Sequence, residues 1–169
     1  MPTDAVAPGS GELLSRIALG GLLTGIIDGS FSGVLAAFFY GSTVERLFQG
    51  VASTLLGPEA MKGGTQTFLI GLLMHFGVAF AWTIVFMAGL LRIEFVRRVL
   101  DSPMGPLKVA AVYGPLIWMT MSLIVIPVLT QRAPSMATFS VRWWIQWVGH
   151  APFVALPIAL CSRGLWGRG

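Results

Sequence analysis

Four long apolar stretches, roughly residues 16–40, 65–91, 106–129 and 142–165, dominate this chain and restrict what it can fold into. A helix needs about 20 residues to cross a hydrocarbon layer of about 30 Å, and each stretch is long enough. Inside lipid a backbone must satisfy its own hydrogen bonds, and a segment of this kind therefore spans as a helix. The expected fold is all-α: a polytopic membrane protein built as a bundle of four transmembrane helices. Charge agrees. Only 11% of the 169 residues are Asp, Glu, Lys or Arg, against about 25% in a soluble domain. Residues 1–12 read as a short flexible N-terminus and residues 13–169 as one domain.

Lys and Arg near the ends of spans set the orientation of a membrane protein. With four crossings, one side receives Arg16, Arg92, Arg97, Arg98, Lys108, Arg163 and Arg168, and the other Arg46, Lys62, Arg132 and Arg142. The excess predicts both termini in the cytoplasm, with the lipid bilayer as the surrounding partner. No basic run interleaved with aromatics is present, and nucleic acid is not an expected partner. Cys161 is the only cysteine, which excludes an internal disulfide and Cys-pair redox chemistry. The leader MPTDAVAPGSGE is acidic and contains Pro and Gly, unlike the basic start of a cleavable signal. The first apolar stretch is expected to stay as a membrane helix.

That stretch carries Gly21, Gly25, Gly29 and Gly33, one glycine at every fourth position. The spacing predicts a smooth face that another helix approaches closely. Between the first two spans, Val44, Leu47, Phe48, Val51, Leu55 and Leu56 fall on one helical face, opposite Arg46, Gln49, Ser53 and Thr54. Ser42–Glu45 fits a capping box and Gly57-Pro58 a stop. This segment, about 43–56, is expected to be one short amphipathic helix in the outer interface. Residues 92–101 read as a continuation or cap of the second span. Trp143, Trp144 and Trp147 open the fourth span, where an interfacial aromatic belt is expected. Pro115, Pro127, Pro152 and Pro157 lie inside the last two spans and predict kinks.

Chemistry is confined to a few side chains. A carboxylate at the centre of a span is costly against lipid, which turns Asp28 inward. His75 and His150, on the second and fourth spans, come out at nearly the same depth, roughly 12–15 Å below the outer boundary. Gln146 shares a helix face with His150, and Tyr113 sits on the third span. Asp28, His75, His150, Gln146 and Tyr113 are the candidate buried polar site for a proton or ligand.

Three functions fit such a set. The first is a structural or accessory module of a homo-oligomer or larger membrane complex. The second is a proton-coupled or small-solute transporter or channel using Asp28 with His75 and His150. The third is binding of non-covalent haem b, or another tetrapyrrole, between His75 and His150. The first is the leading expectation, with no cofactor. No HExxH, GxSxG or Walker-type loop is present, and neither a catalytic residue nor an enzyme is expected. No metal site is expected, because nothing in the spacing of Asp28, His75 and His150 brings them together.

The string FQGVASTLLG (Phe48–Gly57), then Gly63-Gly64, LMHF (Leu73–Phe76) and VALPIAL (Val154–Leu160), resembles a family of small four-helix bacterial membrane proteins without an assigned function. The resemblance implies a bacterial inner-membrane location and makes the amphipathic helix a family feature. It implies no reaction, substrate or catalytic residue.

Overall fold

Four long helices and two short ones make up most of residues 8–166, the part of the chain described in this computed structural model. The long ones are α1 (Ser10–Phe39), α3 (Gly64–Arg92), α5 (Gly105–Thr130) and α6 (Val141–Ser162), of 22 to 30 residues and mean hydropathy 1.3 to 2.1. The short ones are α2 (Val44–Leu56) and α4 (Glu94–Asp101). Large apolar side chains stand on the outer faces of all four long helices: Phe38 is 79% exposed, Leu73 74%, Val128 70% and Val148 61%. Water does not tolerate so much contiguous apolar surface, whereas lipid solvates it. This is a multi-pass membrane protein. Residues 10–12 belong to α1 and not to a loose leader; positions 1–7 of that expected leader, and Arg168, lie outside the described residues.

Cross-chain contacts fix the two ends of the bundle. Arg16 donates to the carbonyl of Cys161 at 3.2 Å, and Arg97 donates to the carbonyl of Leu91 at 2.6 Å while lying over the Trp166 ring. The start of α1, the α3–α4 corner and the end of α6 thus share one end. At the other end α2 packs on α3, and Arg142 covers the Tyr40 ring at 4.3 Å.

Three expectations change here. Residues after Arg92 do not prolong α3. Ile93 takes extended backbone angles, and α4 starts afresh as a second amphipathic helix, with Leu100 buried and an Arg98–Glu94 pair at 2.8 Å outside. The cap of α2 is Thr43 and not Ser42, since its hydroxyl accepts the Arg46 N–H at 3.1 Å. Gln49 is not on a solvated face. It is 4% exposed and donates to Glu45 at 3.3 Å and to the Gly64 carbonyl at 3.2 Å, tying α2 to the start of α3.

Two of the interior prolines, Pro127 and Pro157, act through wide π turns, whereas Pro115 lies within regular α-helix. Pro127 has no N–H for the Leu123 carbonyl, and Pro157 none for that of Phe153; the helix widens at Met121–Val125 and Ala151–Ala155, the turns holding those carbonyls. Leu35–Phe39 and Val85–Gly89 are also π turns, and no proline explains them. Trp143 is not a belt residue: it is buried and donates its indole N–H to Ser122 at 3.0 Å, while Trp144 stays half exposed.

Apolar packing is uneven along the bundle. Phe86, Met87, Tyr113, Ile117, Ala155 and Ile158 fill the half nearer α4. The half nearer α2 is hollow.

Candidate functional site

The glycine face of α1 sets the position of α3. A Cβ at Gly25 would stand 2.5 Å from the Phe76 ring, one at Gly21 would strike Phe80, and one at Gly29 would meet His75 Nε2 at 3.2 Å. Gly33 faces Val44 of α2 at 3.4 Å. The face receives the rings of Phe76 and Phe80 and the His75 imidazole. Backbone-to-backbone approach occurs elsewhere: a Cβ at Gly71 would run into the Phe48 carbonyl of α2, and one at Gly114 into the His150 backbone of α6.

With α3 so placed, the Nε2–H of His75 donates to the Gly25 carbonyl at 2.9 Å. A carbonyl only accepts, which assigns the proton to Nε2. Nδ1 then faces Oδ2 of Asp28 at 4.0 Å. On α6 the same logic puts a proton on Nδ1 of His150, which bonds the Gln146 carbonyl at 2.7 Å. Gln146 donates to Ser32 of α1 at 3.5 Å, and the Trp118 ring lies 4.9 Å from that of His150. All three titratable groups sit about ten residues from the α2 end of their helices, roughly 15 Å deep.

These groups surround one cavity of about 590 Å³. Asp28, His75, Gln146, His150 and Trp118 line it, α2 covers one end through Leu47, Val51 and Thr54, and most of its wall is apolar. Three buried polar atoms of lining residues have no partner: Oδ1 of Asp28, Oε1 of Gln146 and Nε1 of Trp118. Each is destabilising by about 1–3 kcal/mol if left unpaired.

Four of the five side chains expected from sequence, Asp28, His75, His150 and Gln146, therefore converge. Tyr113 does not. It lies one turn from Ile117 toward the α4 end, in the packed half, and its hydroxyl donates to the Trp82 carbonyl at 2.8 Å. Sequence reasoning missed Trp118 and Trp82 as lining residues and α2 as a cover. The Gly114-Pro115 pair, one turn before Trp118, is the signal that marked a close crossing there.

The haem reading gains nothing from this arrangement. Ligation by two histidines needs a ring nitrogen from each facing a common slot; Nε2 of His75 is turned onto α1, and its Nδ1 is opposite Asp28. Among the described residues no three His, Cys, Asp or Glu side chains stand close enough to hold a metal ion. No family model, no curated protein and no solved structure matches this chain.

Proposed function

We propose that this chain is a proton-linked small-molecule carrier of the membrane, in which Asp28, His75 and His150 hold and pass protons beside a binding cavity. One observation carries this reading: a carboxyl and two imidazoles from three different helices meet around a hollow in the middle of the bundle. Titratable groups facing a cavity at membrane depth are the usual parts of proton relays and coupled carriers. A bundle serving only as a packing module has no use for empty space beside its acid. The accessory-module reading is for that reason the weaker one.

The same proposal keeps both termini in the cytoplasm, supported by the Lys/Arg excess at the α4 end, and takes the bacterial inner membrane from the resemblance alone. A pathway made from one short chain calls for a second copy or other membrane subunits. The test is proton uptake into proteoliposomes loaded with a pH-sensitive dye under an imposed potassium diffusion potential. Wild type should acidify faster than protein-free vesicles, and Asp28→Asn should fall to the protein-free rate while keeping its thermal melt. Equal rates for wild type and Asp28→Asn overturn the proposal.

A further inference from the structure

The cavity has an open side. Val78 and Ala81 of α3, Leu129 of α5 and Leu55 of α2 line it and are also exposed, Val78 by 36% and Leu129 by 45%. Tyr113 holds α5 to α3 through the Trp82 carbonyl and the Phe86 ring. Beyond that contact, toward α2, the gap between the two helices faces hydrocarbon. A molecule dissolved in the bilayer reaches the polar groups without crossing water.

We infer that the occupant is a lipophilic amine in its ammonium form, taken from lipid between α3 and α5, a reading that rests on the Asp28 centre proposed above. The unpartnered atoms choose the head group. Asp28 Oδ1 and Gln146 Oε1 are acceptors, and both require a donor. An ammonium supplies several N–H donors on one atom and a positive charge opposite the carboxyl. Phe48, Trp82 and Trp118 add aromatic walls, whose faces attract cations. Leu47, Val51, Val125 and Ile126 suit a hydrocarbon body. The Trp118 N–H calls for an ether, carbonyl or sulfonyl oxygen on that body. The volume lies within the roughly 300–1,000 Å³ range of small-molecule sites.

This occupancy defines the proton linkage. The ammonium keeps its own protons and forms no covalent bond. The proton that leaves is the one on the Asp28 carboxyl, and it passes to bulk water as the ammonium arrives.

The experiment uses the full chain in neutral-phospholipid nanodiscs and a dansyl-labelled alkylamine, with the matched dansyl alcohol as comparison. Saturable binding above empty nanodiscs is expected, with the amine held about tenfold or more tighter than the alcohol. Asp28→Asn should remove that preference, and Gln146→Leu should weaken the amine several-fold; the second variant keeps the test alive if the first fails to fold. Val78→Trp, which narrows the side opening, should slow association. Proton release to an indicator dye should accompany binding in wild type. Equal affinity for amine and alcohol, an unchanged preference in both Asp28→Asn and Gln146→Leu, or binding no greater than to empty nanodiscs overturns the inference. Should the amine fail while Asp28-dependent proton uptake persists in proteoliposomes, only the ligand class is wrong; should both fail, the carrier reading falls with it.

Discussion

His75 is anchored on Gly25 and admitted by Gly29: its Nε2–H reaches the Gly25 carbonyl at 2.9 Å, and Gly29, one turn on, has no Cβ to keep the imidazole away. A glycine that reads as helix packing thus also aims a histidine at Asp28.

Replacing Gly25 by leucine therefore has two effects. It forces Phe76 aside and so pushes α3 away from the Gly25 carbonyl that His75 bonds, and overpacking of this kind costs about 1–3 kcal/mol. Ala18→Leu, on the exposed face of the same helix, should be near neutral. Thermal melts in detergent compare the two. Equal melts would mean that the glycine face does not set the α1–α3 distance.

His75→Phe keeps a ring in the same space but no polar atom. Interhelical hydrogen bonds in membranes contribute roughly 0.6–2 kcal/mol, and a small drop in melting temperature is expected. Proton uptake in proteoliposomes should nevertheless fall to the protein-free rate. A variant that is stable and still moves protons would remove His75 from the relay.

Tyr113→Phe gives the opposite pattern. Losing the 2.8 Å bond to the Trp82 carbonyl should lower stability by about 1 kcal/mol. Proton uptake per folded molecule should stay within about twofold of wild type, because the hydroxyl does not line the cavity. A loss of uptake with a normal melt would put Tyr113 back into the site.

The cover can be tested through glycine. Gly71→Ala places a methyl against the Phe48 carbonyl and should lift α2 off α3, lowering the melt and exposing the Gly57 turn to protease. Gly77→Ala has nothing within 4 Å of the added Cβ. It should be neutral or stabilising by up to about 1 kcal/mol from helix propensity. Matching proteolysis patterns for the two variants would argue against a seated α2.

The spans were legible because lipid imposes length and apolarity on a helix directly, and every predicted boundary except that of α1, which starts six residues early, lies within about three residues of the observed one. Asp28, His75 and His150 were legible for the same reason, since a rare polar group in a span must turn inward. The face of Gln49 was not. Its polarity suggested solvent, yet the Gly64 carbonyl, across the seam between α2 and α3, gave it a buried partner. Trp143 misled in the same way, because Ser122 on another helix offers its indole an acceptor that helical periodicity within one span cannot reveal. The cavity was equally hidden. It exists because Gly114 lets α5 and α6 cross closely at one level while α3 and α5 part at another, a relation between helices distant in sequence.

Residues from α1 through α3 bring Asp28, His75 and the α2 cover into place, whereas Gln146 and His150 arrive only with α6. During synthesis the acid and its first histidine must wait, half enclosed, until the last helix leaves the ribosome. Docking of α6 is favourable because it encloses the carboxyl on the α6 side, leaving only the gap between α3 and α5 open to lipid. The candidate centre is therefore assembled only when α6 docks, and a chain truncated before Gln146 would lack two of its lining side chains.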